Sequence, residues 1–388
     1  MRGSATDPAM MAMDGASSGA SSPALGGGAG PGPTAAAGRA VAGLSLEEQR
    51  AWEPFAFMQL ADTQLGFQES WRAYGYDEPE GFADEVEMLD QIVDEINRLK
   101  PAFCVVCGDM VNAMPQASSA EDREKRQAQT QAFRAACARV DPAVPLVCVC
   151  GNHDVGDRPN AATISEYNRD FGDDYFSFWV RGVKCICVNS QLWKDDSEAA
   201  ALRAEHDRWL RAELASPETA KAQHILVFSH IPPMIFAQDE ADGYFNLDRR
   251  TRDEVMGLFC EFGVRAVFCG HYHRNAGGWY TPQWKWSGEA AQAASKTVEV
   301  VVTGAAGANI VDKAGGEPLE ISGMNGCKIG PDVSGVRLVR VADKDVSHRW
   351  CTLNALRGLR KELRAELPTY AFMNTVSADG VAKTPRPA

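Results

Sequence analysis

Five short segments, each placed where an apolar run ends, deliver residues of metal-ligand type: Asp62-Thr63-Gln64, Gly108-Asp109, Gly151-Asn152-His153-Asp154, His230, and Gly270-His271-Tyr272-His273. No other feature constrains the chain as strongly. Apolar runs that stop at polar ligands describe an α/β fold, because such folds place their sites at the carboxyl ends of strands. A glycine ahead of the ligand lets the backbone turn sharply or approach a neighbour closely. Four of the seven histidines fall in these segments.

The runs between them supply the scaffold. Strands are predicted at Phe55 to Leu60, Phe103 to Val106, Pro145 to Val149, Ile225 to Ser229, Arg265 to Phe268, Val298 to Val302, Gly335 to Val341 and Val346 to Thr352. A hairpin is predicted from Phe176 to Val180 and Lys184 to Val188, around Arg181-Gly182. Helical spacing of Val86, Leu89, Ile92, Val93, Ile96 and Leu99 predicts a helix over Phe82 to Lys100, stopped by Pro101. Further helices are expected at Glu121 to Arg139, Glu198 to Leu214, Arg250 to Phe262 with Gly263 as its cap, and Leu353 to Leu367. Alternating elements followed by adjacent strands imply mixed sheets packed together, with helices outside.

Residues 1–44 are dominated by Ala, Gly, Ser and Pro, contain no aromatic residue, and read as a disordered low-complexity tail. A net charge of −13 argues against a nucleic-acid partner. It also means that positive charge for an anionic substrate must come from bound metal ions. No apolar run reaches the roughly 20 residues of a membrane span. The eleven cysteines read as reduced, buried thiols. Cys107, Cys150, Cys269, Leu60 and Phe228 each precede a ligand by two residues, so a shared strand face would make them a floor beneath the site. The three thiols could then be sensitive to oxidation, or could be inert core.

The order Asp, Gly-Asp, Gly-Asn-His-Asp, His, Gly-His-x-His resembles that of the calcineurin-like metallophosphoesterase superfamily. The segments Val188-Asn189-Ser190-Gln191, Asp242-Gly243-Tyr244-Phe245-Asn246-Leu247 and Gly270 to Gly278 are similar to its calcineurin-like phosphoesterase-domain-containing serine/threonine protein phosphatases. The likeness runs over about residues 52–366, taken as the phosphoesterase domain, with 367–388 as a C-terminal tail. It implies a four-layer α/β sandwich, two mixed β-sheets flanked by helices. It implies a cytoplasmic phosphomonoester hydrolase acting on phosphorylated protein, with two divalent ions (Mn, Mg, Fe or Zn) activating water for in-line attack. Asp62, Gln64, Asp109 and His273 would hold the first ion. Asp109, Asn152, His230 and His271 would hold the second, with Asp109 bridging. His153 would act as general acid or charge stabiliser, oriented by Asp154. Asn112, Arg274, Asn275 and Tyr244 are candidate substrate contacts, and Trp71, Tyr74, Tyr76 and Phe245 candidate groove walls or satellite core.

Two departures from the pattern matter. Gln64 stands where most of the superfamily has His, and is read either as a weak amide-oxygen ligand or as lying off the metal. The residue three after Asp109 is Asn112, whereas a purple acid phosphatase would need a Tyr there. Two alternative functions share the motif set: a phosphodiesterase or nucleotidase on the same metals, and a metal-binding scaffold without turnover. Oligomeric state is not legible in the sequence.

Overall fold

The computed structural model describes residues 49–116, 119–282, 297–312, 327–330 and 333–359. In chain order the principal elements are β1 (Phe55–Leu60), α1 (Ala83–Leu99), β2 (Cys104–Cys107), α2 (Ala120–Cys137), β3 (Leu146–Val149), α3 (Ala161–Asp170), β4 (Phe176–Val180), β5 (Val183–Cys187), α4 (Ala200–Leu214), β6 (His224–Phe228), α5 (Arg249–Phe262), β7 (Ala266–Cys269), β8 (Ala276–Tyr280), β9 (Val298–Val302), β10 (Asn309–Asp312), β11 (Cys327–Gly330), β12 (Gly335–Val341), β13 (Val346–Thr352) and α6 (Leu353–Arg357). The predicted elements are present, most within one or two residues. The far end of the last predicted helix and the tails lie outside the described residues.

Among the described residues, a five-stranded sheet has the order β13-β12-β1-β2-β3 and a six-stranded sheet β4-β5-β6-β7-β9-β8, while β10 and β11 form a separate two-stranded antiparallel sheet. Both are mixed: β1, β2 and β3 run parallel while β12 and β13 are antiparallel additions. In the second sheet β5, β6, β7 and β9 are parallel, edged by antiparallel β4 and β8.

Period-two alternation decides which side chains go where. Phe55 and Phe57 of β1 face the second sheet, with Phe103, Phe178, Leu226, Phe228 and Phe268 in the same apolar layer. Phe57 stacks on Phe103 at 4.6 Å and meets Phe228 and Phe268 edge-on at 5.7 and 5.6 Å. Such pairs add about 0.5–1.5 kcal/mol each beyond their buried area. Ala56, Met58 and Leu60 face the other way, against Leu89, Ile92, Val93 and Ile96 of α1 and Phe133 of α2. The outer face of the second sheet packs Val227, Val267 and Val300 against Leu210 and Leu214 of α4 and Val255, Met256 and Phe259 of α5. The result is helix, sheet, sheet, helix. Near the ligand end the two sheets are joined by a polar side chain: buried Gln59 donates to the Cys269 carbonyl at 3.0 Å and accepts from Thr303 Oγ1 at 2.7 Å.

The expected floor of five side chains does not form. Cys107 and Phe228 lie between the sheets, Leu60 and Cys150 under the first helical layer, and Cys269 under the second. The same-face rule holds only on extended backbone, and the chain leaves it at the strand ends: φ is +86° at Gly108, +53° at Asp109 and +50° at Asp62. All eleven cysteines are free; burial pushes the thiols of Cys107, Cys150 and Cys269 up, which favours the inert-core reading of these residues.

Candidate active site

Among the described residues, seven non-glycine residues have positive φ, and five of them are expected ligands: Asp62, Gln64, Asp109, His271 and His273. Left-handed backbone outside glycine costs of order 1–3 kcal/mol per residue and persists where the surroundings enforce it. Here the strand ends curl so that their side chains turn back toward one another. Gly108, at φ +86°, is packed so closely that an added Cβ would lie 2.1 Å from His230 Nδ1. At Gly270 an added Cβ would lie 2.6 Å from Asp62 Oδ2. These glycines bring the two sheets' ligand loops into contact, which a side chain would prevent.

The centre of the cluster is Asp109, 2% exposed. Its Oδ1 accepts the His153 backbone N–H at 2.9 Å, and its Oδ2 lies 3.2 Å from His230 Nε2. The ligand atoms of Asp109, His230 and His271 lie within 4.8 Å of one another. Asn152 Oδ1 is 3.1 Å from His230 Nε2, while its amide nitrogen donates to Asp157 and to the Tyr244 hydroxyl at 3.0 and 3.2 Å. On the other side, His273 Nε2 is 3.5 Å from Asp62 Oδ1, and both Asp62 oxygens accept from the His271 backbone N–H.

The donor set suits divalent cations. His230, His273 and His271 each place one ring nitrogen against a backbone carbonyl: Nδ1 to Cys107 O at 2.8 Å, Nδ1 to Ala308 O at 2.8 Å, and Nε2 to Tyr244 O at 3.3 Å. A carbonyl only accepts, so each of these nitrogens carries a proton, and in the neutral ring the other would offer its lone pair to a cation, the usual outer support of a ligating histidine. Burial holds His273 down to about 4, and burial with His230 nearby lowers His271 well below the ordinary range, so both are neutral imidazoles. Burial also works against charge on His230 and Asp109, but each favours the other's ionised form. Burial, then Asp109, pushes Asp154 up to about 7, and burial pushes Asp62 well above the carboxylate range. Crowded buried carboxyls of this kind favour a cation among them.

Gln64 also fits. Its amide nitrogen donates to Asn112 Oδ1 at 3.1 Å, and its Oε1 is buried with no hydrogen-bond partner among the described residues. A buried carbonyl oxygen without a partner costs about 1–3 kcal/mol, which ligation would remove. Metal stoichiometry against free-metal concentration should therefore differ among wild type, Gln64→His and Gln64→Ala. His should tighten one site and favour later transition ions, and Ala should weaken that site while sparing the other. Superimposable curves would remove residue 64 from the ligand set.

The structure alters three expectations. Asp154 does not reach the His153 ring: its carboxylate accepts from the backbone N–H groups of Asp109, Met110 and Gly151 at 2.7, 3.1 and 2.7 Å. It fixes the loops, and the His153 ring is held instead by the Asn112 carbonyl at Nδ1. Arg274 turns from the cluster, donating to Ile310 O at 3.0 Å and lying over Tyr272 at 4.9 Å. Asn275, 6% exposed, accepts from Gly304 N–H and Arg337, a structural junction rather than a substrate contact. Asn112 and Tyr244 do stand at the site, the latter with its ring 4.9 Å from His271. Trp71 and Tyr76 pack with Phe67, Ile310 and Ile329 as a satellite core, and Phe245 joins the second helical layer.

Sequence reasoning did not single out Lys194 or Arg126. Lys194 Nζ donates to the carbonyls of Gly243 and Asn246 at 2.6 and 2.7 Å, fixing the loop that carries Tyr244. A lone Lys or Arg inside a helical stretch gives no signal of such a role.

Comparison with protein families matches residues 55–275 to calcineurin-like phosphoesterase. The chain belongs to the calcineurin-like phosphoesterase family. This calcineurin-like phosphoesterase is 37% identical over 332 residues to serine/threonine-protein phosphatase CPPED1 of Danio rerio, covering 84% of this chain and 94% of that protein. It is 38% identical over 334 residues to the protein of the same name from Bos taurus, with the same coverage. In fold it is similar to the purple acid phosphatase PPD1 of yellow lupin: TM-score 0.51, 14% identity, 87% of this chain and 58% of that one. Metal-dependent phosphatase chemistry follows from the family and from these relatives.

Proposed function

We propose that this phosphoesterase hydrolyses phosphomonoesters on serine and threonine side chains of proteins, using two divalent ions. The observation that carries the reading is the buried cluster around Asp109, with His230 and His271 on one side and Asp62 and His273 on the other. The names of the relatives support the protein substrate. Asp62, Gln64, Asp109 and His273 would hold one ion, and Asp109, Asn152, His230 and His271 the other. Ions bound there would polarise the phosphoryl oxygens and lower the pKa of bound water.

The chain's own task is to place a proton for the leaving group. His153 is 6% exposed and is fixed through its backbone to Asp109 and through its ring to Asn112. With Nδ1–H bonded to a carbonyl, Nε2 is the atom free to carry the transferable proton. The imidazolium can release that proton to a departing serine or threonine alkoxide while its Nδ1 bond stays intact. Asp154, through three backbone N–H bonds, keeps the Asp109 and Gly151 loops in register around it.

A panel of phosphoseryl and phosphothreonyl peptides, mononucleotides and bis-aryl phosphodiesters with Mn²⁺ tests the substrate class. The peptides should be hydrolysed with kcat/KM at least about tenfold higher than the others, which is about 1.4 kcal/mol of discrimination. Preference for the diester or the nucleotide would replace the protein-phosphatase reading with a phosphodiesterase or nucleotidase.

A further inference from the structure

We propose that Arg126 is a positioning residue for His153, an inference that rests on the reading of His153 as the proton donor. Arg126 lies on α2 and is 5% exposed. Its Nη1 donates to the carbonyls of Ala113 and His153, its Nη2 donates to the Asp154 carbonyl at 2.9 Å, and its Nε pairs with Glu166 of α3 at 2.7 Å. Burying a guanidinium is unfavourable unless its donors are matched, and here they are matched to one place.

The acceptors are not arbitrary carbonyls. Two belong to the turn that carries the His153 side chain. The third belongs to Ala113, next to Asn112, whose carbonyl holds the His153 ring. One planar fork therefore ties the backbone that carries the imidazole to the segment that orients it. Glu166 anchors the far side of the fork and is itself more exposed, at 30% of its side chain. The bonds of Arg126 go to backbone carbonyls and to Glu166, not to the side chain of any residue assigned as a metal ligand. The fork acts most directly on the segment that carries the imidazole. Lysine cannot replace it, because a single ammonium does not present donors in a fixed plane to three carbonyls.

The test compares Arg126→Lys, Arg126→Met, His153→Ala and the double variant Arg126→Lys/His153→Ala with wild type. A phosphoseryl peptide and an aryl phosphate serve as substrates, and metal content and thermal melting are recorded for each protein. Arg126→Lys should lower kcat for the peptide by roughly 10–100-fold, leave KM and metal stoichiometry unchanged, and slow the aryl phosphate much less. In the double variant kcat should equal that of His153→Ala alone, because the fork has nothing left to position. Glu166→Gln removes the ion pair but keeps the three carbonyl bonds, so it should lower the melting temperature with the peptide-to-aryl ratio unaltered; if Arg126→Met does not fold, Arg126→Lys and the double variant still decide. Losses that multiply in the double variant, or metal lost from Arg126→Lys, would overturn the proposal. If His153→Ala slows both substrates equally, the acid reading fails instead. Non-additivity would still report whether Arg126 acts through His153.

Discussion

Asp109→Asn is expected to lose at least one of the bound ions and to reduce turnover to background. The Asp109 carboxylate lies within 4.8 Å of ligand nitrogens of His230 and His271, and its own oxygen is tied to the His153 backbone N–H. Asn keeps the shape but removes the negative charge that would be shared by both ions. Changes to outer partners of metal ligands cost roughly 10–100-fold. Loss of the shared carboxylate should exceed that range, since two-metal chemistry needs both ions together. The direct readout is metal per chain after gel filtration, alongside phosphopeptide hydrolysis. Two retained ions with ordinary turnover would move the bridge elsewhere.

His153→Ala should separate chemistry from metal binding. No ligand role is assigned to its side chain, so metal content should stay at the wild-type value. Turnover of a phosphoseryl peptide should fall by roughly 10²–10⁴-fold, the usual contribution of a general acid. An aryl phosphate has a leaving group that departs without protonation, so its loss should be small. Equal losses for both substrates would remove proton donation and leave His153 only as a stabiliser of charge.

Most strands, the helices α1, α2, α4 and α5 and the ligand-bearing ends were legible in the sequence because each follows from a local period and an abrupt change to Gly, Asp, Asn or His, whereas α3, β8, β10 and β11 were not. The helix over Ala83–Leu99 is an example: its apolar positions recur at helical spacing and Lys100 ends it in a left-handed turn before Pro101. Contacts made after the chain has turned were not legible. Arg274 and Asn275 sit beside His273 in sequence, yet a left-handed residue at His273 sends them toward β10 and Arg337. Left-handed residues likewise undid the i to i+2 argument for Cys107 and Cys269, and for Cys150 it was the helical turn that starts at Asn152. Strand β8 was hidden because Gly277 and Gly278 interrupt its apolar pattern, and close approach of Val300 O and Phe236 O explains those glycines. Arg126 and Lys194 bond to backbone carbonyls, and a carbonyl has no sequence signature.

The central claim is that a divalent-metal site built on Asp109 carries the hydrolysis. Its most direct test is to strip purified wild-type protein with a chelator and titrate Mn²⁺ back, measuring bound metal and phosphopeptide hydrolysis on the same samples. The account predicts no turnover without metal, and recovery that tracks filling of the second equivalent per chain. Full turnover in metal-free protein, or activity complete at one equivalent, would contradict it.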